Sequence, residues 1–308
     1  MNQQRLIRLL WLSIAAAVAT ISLKTTAWLL TGSVGLLSDA VESVVNLVAA
    51  VVAMAALRWA IKPADEEHAY GHAKAEYFSA GVEGSLILVA AVTIGVTAAD
   101  RLLHPQAIDD VGVGLAISSA ASLINLAVGL LLLRSGREER SITVEADGKH
   151  LLTDVWTSAG VIIGVAGVAI TGWQRLDALI ALAVAVNIIV TGSGLVRRSV
   201  GGLMDRALDE PELRDIHEVL RQFEQDGVQF HALRTRQAGS RAFLSVHVLV
   251  PGAWTVQRGH NVVEEVEAAL RERLPYLTVF THLEPAEDPR SFDDTTLDRP
   301  EAARARRG

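Results

Sequence analysis

Residues 34–60, VGLLSDAVESVVNLVAAVVAMAALRWA, decide the fold because they form a long and almost unbroken apolar stretch. A helix of about 20 such residues crosses the ~30 Å hydrocarbon core of a bilayer. Five further stretches of similar length and composition occur before residue 200, so the sequence predicts six transmembrane helices. Their limits are 7–31, 34–60, 78–100, 111–133, 149–171 and 176–196.

The composition divides the chain into two parts. Of the 308 residues, 20% are charged and 50% hydrophobic, and the mean hydropathy is +0.32. Soluble proteins carry about 25% charged residues, and here the charges concentrate after residue 200. We therefore predict an α-helical membrane domain at 1–204, a small cytoplasmic α+β domain at 205–288 and a disordered tail at 289–308.

Charge and cysteine content exclude several partners and sites. The net charge of -7 argues against nucleic acid as a partner. The chain has no cysteine, so disulfides and thiolate metal sites are excluded, and a metal site must use His, carboxylate or amide ligands.

Positive charges predict the orientation in the bilayer. Arginines precede the first span, lie between the fourth and fifth spans and follow the sixth, whereas the opposite loops hold only Arg101 and Arg175. Loops rich in Lys and Arg stay on the cytoplasmic side. Both termini are therefore expected in the cytoplasm.

The predicted soluble domain has the order α-β-β-α-β. DEPELRDIHEVLRQF at 209–223 and TVQRGHNVVEEVEAALRERL at 255–274 have helical periodicity. VQFHALRTRQ and RAFLSVHVLV alternate and are split by AGS, which is typical of a hairpin. LTVFTHLEP at 277–285 is the third predicted strand.

Polar residues lie within two of the apolar spans. Glu42 and Asn46 are four residues apart in the second span, as are His150 and Asp154 in the fifth. Each pair shares a helix face, so two such helices can supply four ligands to a divalent transition metal. Asp39 shares a face with Glu42 and is an alternative ligand.

Other polar residues in the spans have a structural interpretation. A single polar residue in a membrane helix often only bonds a neighbouring helix, and Asn46 alone is open to that reading. Glu83 in the third span and Asn125 in the fourth are interpreted as such helix contacts rather than as ligands.

A second candidate metal site lies in the loop after the second span. In KPADEEHAYGHAKAEYF, Asp65 is followed by His68 and His72 at +3 and +7. One carboxylate and two imidazoles at this spacing can bind a metal. The alternative is a solvated acidic loop.

These segments together resemble the cation diffusion facilitator family of metal transporters. The resemblance covers nearly the whole chain and is most specific in DAVESVVN at 39–46, DEEHAYGHAKAEYF at 65–78, HLLTD at 150–154 and HALRTRQAGSRAFLSVHVLV at 231–250. It implies six membrane helices joined to a cytoplasmic domain of metallochaperone-like topology. It also implies a homodimer, in a bacterial inner or plasma membrane, that exports divalent cations in exchange for protons.

The resemblance also implies which residues bind metal. The transport site would be Glu42, Asn46, His150 and Asp154, although many relatives have His and Asp, or two Asp, at the first two positions. The loop site would be Asp65, His68 and His72. The cytoplasmic metal positions would be His231, His247, His260, His282 and Glu284, the last of which is more often Asp in close relatives.

The ligand chemistry leaves several ions open. His150 suits Zn²⁺ or Fe²⁺, whereas Glu42 and Asn46 supply oxygen ligands that also suit Mn²⁺. We expect Zn²⁺ as the exported ion, with Fe²⁺ and Mn²⁺ next, and no resident cofactor. The alternatives are a Mn²⁺-preferring exporter and a membrane sensor that binds metal without moving it.

Enzymatic function is not expected. An intramembrane metalloprotease needs a water-activating motif such as H-E-x-x-H, and the chain contains no such string. A transporter of organic cations would have no need of a soluble domain rich in histidine.

Overall fold

The computed structural model describes residues 3–31, 34–104, 112–173, 175–293 and 295–296. The chain divides into two compact units, residues 1–203 and 204–308. The helices of the first unit are α1 (Gln3–Thr31), α2 (Val34–Ala60), α3 (Ala75–Leu103), α4 (Gly112–Glu138), α5 (Ile142–Thr171) and α6 (Arg175–Leu203). The described side chains within α2 begin at Ser43, with a gap at residue 45.

The length and composition of these helices fit a membrane domain. Within the described residues, parts of α1, α3, α4 and α6 are each long and apolar enough to cross a bilayer. The described apolar part of α2, Asn46–Ala60, is shorter, and α5 carries charged residues in its first two turns. Large apolar side chains such as Leu29, Val96 and Ile170 are exposed, as expected of surfaces that face lipid.

The membrane unit packs as two groups of helices. Leu10 on α1, Leu57 on α2, Leu132 on α4 and Leu151 on α5 belong to one buried cluster. In the second cluster, α3 packs along α6 and both contact the beginning of α5. Because α5 belongs to both clusters, it connects the two groups.

Glycine allows α4 and α5 to approach closely. A Cβ atom added at Gly136 would lie 2.5 Å from the backbone nitrogen of Glu145. A Cβ atom added at Gly148 would lie 2.7 Å from the backbone nitrogen of Leu133. Small residues are the usual means of close helix packing in lipid, and here they fix the position of α5 against α4.

Polar contacts fix the beginning of α5. Ser141 Oγ donates to the Glu76 carboxylate at 2.5 Å, and the Thr143 amide donates to the same oxygen at 3.5 Å. A carboxylate is favourable at a helix N-terminus because the first backbone N–H groups have no partner within the helix. In the next turn, Glu145 forms ion pairs with Lys149 and Arg198.

The second unit contains a three-stranded sheet with two helices on one face. Its elements are α7 (Glu210–Gln222), β1 (Gln229–Ala238), β2 (Arg241–Val250), α8 (Val256–Arg273) and β3 (Leu277–Pro285). The strand order is β1-β2-β3, with β1 antiparallel and β3 parallel to β2. The order of elements agrees with the predicted α-β-β-α-β topology.

The apolar core of this unit lies between the sheet and its helices. Ile216 on α7 and Leu270 on α8 pack in one cluster with Leu244, Val246 and other alternate residues of the strands. Because side chains alternate between the two faces of a strand, the intervening residues lie on the opposite face. That face carries the histidines of the sheet.

Residues 289–292 differ from the predicted disordered tail. They form a short 3-10 helix, Pro289–Phe292, that is anchored by Ser291 Oγ donating to the Pro285 carbonyl at 2.9 Å. Within this helix, the Arg290 side chain donates to Asp288, the residue before the helix, and lowers the pKa of that carboxyl to about 2. The prediction of disorder was based on polar composition, which does not reveal local hydrogen bonds of this kind. The rest of the predicted tail lies outside the described residues, apart from 293 and 295–296.

Candidate functional site

The transmembrane candidate site lies where α2, α4 and α5 meet. Asn46 Nδ2 donates a short hydrogen bond to Asp154 Oδ2. Asn46 Oδ1 lies 2.7 Å from His150 Nε2. Asn46 and His150 are buried and Asp154 is partly buried, so polar groups are concentrated in an apolar environment. The structure thus brings together three of the four predicted transport-site residues.

The hydrogen bonds place Nε2 of His150 against the amide oxygen of Asn46. Ionised Asp154 only accepts hydrogen bonds, so it receives the amide group of Asn46, and the amide oxygen faces His150. Nε2 of His150 must then donate, which leaves Nδ1 without a proton in the neutral ring. Nδ1 is buried and has no hydrogen-bond partner among the residues that the structure describes. It is a lone pair available to a cation.

Asn125 is a neighbour of this site that the sequence analysis interpreted differently. Its Nδ2 lies 3.3 Å from Asp154 Oδ2, so α4 also contributes to the cluster. The signal was present, because Asn125 is an amide within an apolar span, but nothing in the spacing connected it with α5. The side chains of Glu42 and Asp39 lie outside the described part of the chain, so the choice between them as ligands stays a prediction.

The loop candidate site brings both predicted histidines to one carboxylate. His68 Nδ1 lies 3.2 Å from Asp65 Oδ1, and His72 Nε2 lies 3.3 Å from Asp65 Oδ2. The rings of His68 and His72 are 4.4 Å apart between centroids. The backbone N–H of His68 is the main cause that lowers the pKa of Asp65, with smaller contributions from both imidazoles. All three residues offer ligand atoms close enough to share an ion.

The cytoplasmic candidate site lies on the helix-free face of the sheet. His231, His247 and His282 are aligned across β1, β2 and β3, because His231 pairs with His247 and His247 with His282. Glu284 follows two residues after His282 and therefore points to the same face. A β-bulge directly after His231 interrupts the regular pairing, which resumes at Arg234. Bulges are frequent beside functional sites.

Glu284 is the centre of this cluster. Its Oε2 atom lies 3.0 Å from His231 Nε2 and 3.1 Å from His247 Nδ1. His282 is more distant, with Nδ1 3.9 Å from Glu284 Oε1, and its side chain is exposed. His231, His247 and Glu284 could together hold a metal ion.

His260 is the one predicted cytoplasmic ligand that the structure does not place in a described cluster. It lies on α8, is exposed, and faces Glu264 one turn later at 3.9 Å. The packing of α8 on the core face of the sheet explains this difference, because the three other histidines lie on the opposite face.

Replacing a histidine of the sheet cluster and replacing His260 on α8 should have different effects on zinc binding. We expect His247→Ala in the full chain to weaken Zn²⁺ binding at the sheet about 100-fold, since four-ligand zinc sites are worth roughly 10–16 kcal/mol in total. His260→Ala is the matched control and should leave the affinity unchanged. Competition with a chromophoric chelator measures both, in a background with Asp65→Ala and Asp154→Ala that removes the other sites. Equal effects of the two substitutions would contradict this assignment.

Comparison with known proteins shows the class of the chain. The family model described as the cation efflux transmembrane domain matches residues 10–204. The model described as the cytoplasmic domain of cation efflux proteins matches residues 208–286. The chain belongs to the cation efflux family, so it is an integral membrane transporter and not an enzyme. The resemblance inferred from the sequence is confirmed.

Individual relatives span almost the whole chain. An uncharacterized transporter, sll1263, of Synechocystis sp. is 52% identical over 281 residues, which cover 91% of each chain. The cation-efflux pump FieF of Serratia proteamaculans is 35% identical over 274 residues, 88% of this chain and 90% of FieF. Among solved structures, the metal-bound C-terminal domain of the CzcD transporter from Thermotoga maritima is 24% identical, with a TM-score of 0.24, over 27% of this chain and 99% of that domain.

Proposed function

We propose that this protein exports divalent metal cations from the cytoplasm in exchange for protons, through a site formed by Glu42, Asn46, His150 and Asp154. The observation that carries the proposal is the buried cluster of Asn46, His150 and Asp154, in which Nδ1 of His150 has no hydrogen-bond partner among the described residues. Ionisable groups within membrane helices are costly and by default functional.

Proton exchange follows from the ligand chemistry. A metal ligand must be deprotonated, so cations and protons compete for His150 and the carboxylates. Protons on the far side would compete with the bound ion for the same ligand atoms, so a pH gradient can drive release of the ion there. Two conformations that open to opposite sides, with populations shifted by occupancy, complete the cycle.

The proposed topology has six transmembrane helices and both termini in the cytoplasm. The described part of the first unit has six helices, and Arg5, Arg137 and Arg198 lie at helix ends that the charge rule assigns to the cytoplasm. The cytoplasmic domain would dimerise with that of a second copy. Metal at Asp65, His68 and His72, and at the sheet histidines with Glu284, would regulate transport rather than carry it.

Ligand type ranks the candidate ions. The imidazole of His150 favours Zn²⁺ or Fe²⁺, and the oxygens of Asp154 and Asn46 are compatible with these and with Mn²⁺. We place Zn²⁺ first. A Mn²⁺-preferring exporter is the second candidate, which the neutral amide at position 46 favours because it lowers the charge of the site.

Flux across a sealed membrane tests the proposal. Purified full-length protein in proteoliposomes should take up one of Zn²⁺, Fe²⁺, Mn²⁺, Co²⁺ or Cd²⁺ when a pH gradient is imposed, and a protonophore should stop the uptake. Protein-free vesicles give the background. Metal binding with no flux of any ion would contradict export and favour a membrane sensor.

A further inference from the structure

The segment that follows β3 is fastened to the sheet at two separate places. Near its beginning, the Ala286 backbone N–H donates to the Val250 carbonyl at the end of β2, at 2.9 Å. Farther along, the Arg234 side chain on β1 donates to the Thr295 carbonyl at 3.3 Å. The segment therefore runs from the end of β2 to β1. Residues 286–293 and 295–296 are called here the C-terminal strap.

The strap places an aromatic ring against a histidine of the cytoplasmic cluster. The rings of Phe292 and His231 are 5.5 Å apart between centroids with an interplanar angle of 79°, which is the favoured edge-to-face arrangement of aromatic pairs. The preceding residue, Ser291, is 4% exposed and is the one whose hydroxyl donates to the Pro285 carbonyl. This hydrogen bond fixes the strap directly beside Phe292.

His231 lacks the hydrogen bond that usually orients a metal-binding histidine. Its Nε2 atom faces Glu284 and is therefore the atom that would bind an ion. The other nitrogen, Nδ1, is buried and has no hydrogen-bond partner among the described residues. Metal-binding histidines almost always donate this second N–H to a carboxylate, carbonyl or water, which fixes the ring orientation. The described rings in contact with His231 are those of His247, itself a candidate ligand, and Phe292.

Core packing does not explain the position of Phe292. The apolar core of this unit lies on the other face of the sheet, and Phe292 belongs to neither of the apolar clusters described there. The side chain is 49% exposed, so its contact with His231 buries only part of the ring. The family model of the cytoplasmic domain ends at residue 286, so almost all of the strap lies beyond the matched residues.

We propose that Phe292 is a positioning residue for the cytoplasmic metal site. Its ring holds the His231 imidazole in the orientation in which Nε2 meets an ion shared with His247 and Glu284. This role rests on the proposed metal site of the sheet. A ligand that is already oriented loses less freedom when the ion binds, so the strap raises the affinity for Zn²⁺ and similar transition metals. The apolar ring also limits the access of water to His231 and slows loss of the ion.

Zinc affinity of the full chain tests the role of the ring. In the background with Asp65→Ala and Asp154→Ala, Phe292→Ala should weaken Zn²⁺ binding about 10-fold, the lower end of the usual effect of groups that orient metal ligands. Phe292→Tyr keeps the ring and should bind as the background chain does. Phe280→Ala is the matched control, because Phe280 is 46% exposed and stacks on Phe243 rather than on a histidine.

Co²⁺ in place of Zn²⁺ gives a readout that a loss of stability alone would not change. The visible absorption of bound Co²⁺ depends on the positions of its ligands, so Phe292→Ala should shift the absorption maximum. Phe292→Tyr and Phe280→Ala should leave it in place. Ser291→Ala removes the anchor of the strap and keeps the ring, and it should weaken Zn²⁺ binding about 3-fold through the lost hydrogen bond. This variant replaces Phe292→Ala if size-exclusion chromatography shows that the latter does not fold.

Two results would overturn the proposal. One is native Zn²⁺ affinity with a native Co²⁺ spectrum in Phe292→Ala. The other is equal weakening by Phe292→Ala and Phe280→Ala, which would indicate a general loosening of the sheet. Failure of the metal site itself is distinguishable through His247→Ala, because unchanged Zn²⁺ affinity in that variant would show that the sheet histidines bind no zinc. These binding measurements do not depend on export.

Discussion

Alanine at position 154 should abolish metal uptake, with a decrease in initial rate of about 100-fold or more. Within the described side chains, Asp154 is the carboxylate of the cluster that it forms with Asn46, Asn125 and His150. Removing one partner of a buried charge pair costs about 3–5 kcal/mol. A divalent cation would then lose a charged ligand of the proposed site and would leave water for it far less readily. Initial rates of uptake into proteoliposomes measure the effect.

An exposed pair of the same residue types provides the control. Asp100 and His104 are also four residues apart, with 3.1 Å between the carboxylate and Nδ1, but both are exposed. Asp100→Ala should therefore transport at the native rate. Native uptake by Asp154→Ala would show that the ion takes a route that does not pass the Asn46 cluster.

Alanine at position 136 should destabilise the membrane unit by about 3 kcal/mol or more, at the upper end of the usual cost of overpacking. The added methyl group would lie 2.5 Å from the backbone nitrogen and 2.9 Å from the Cα atom of Glu145. Backbone atoms cannot rotate away as a side chain can, so α5 must move relative to α4. The unfolding temperature in detergent should fall by roughly 10 °C.

Gly194→Ala is the matched control for this substitution. Gly194 also lies within a helix, α6, but a Cβ atom there would meet none of the described residues within 4 Å. Replacing a helical glycine by alanine at an open position gains about 0.5–1 kcal/mol, so this variant should unfold at or slightly above the native temperature. If Gly136→Ala were equally stable, the close approach of α4 and α5 would not be a constraint on the fold.

The soluble unit was predictable because its local signals agree with one another. Helical periodicity, alternating strands and the AGS turn gave the order of α7, β1, β2, α8 and β3. His231 and His247 lie side by side because of the register between β1 and β2. The short hairpin turn between the two strands limits which register is possible, but the sequence alone does not specify it. The place of His260 depends on which face α8 covers, and no local pattern encodes that choice.

The limits of the membrane helices were less predictable. Apolar windows placed the beginning of the fifth span at residue 149, whereas α5 begins at Ile142. Residues 142–148 belong to α5 but were left out of the predicted span. They include Glu145 and Asp147, whose charges lower the local hydropathy although helix packing accommodates them. Contacts between distant spans, such as Asn125 with Asp154, depend on tertiary packing that sequence spacing does not reveal.

The position of the Asn46 amide has a consequence for the rate of the transport cycle. By bonding both His150 and Asp154, it keeps these side chains near the geometry that a cation needs. At the proposed transport site, an entering ion would meet side chains that hydrogen bonds already hold in place, so the entropic cost of capture would be small. The same amide recovers its hydrogen bonds when the ion departs, which favours release. If this cluster is the transport site, as proposed, it would exchange its ion readily and hold it weakly, as a carrier requires.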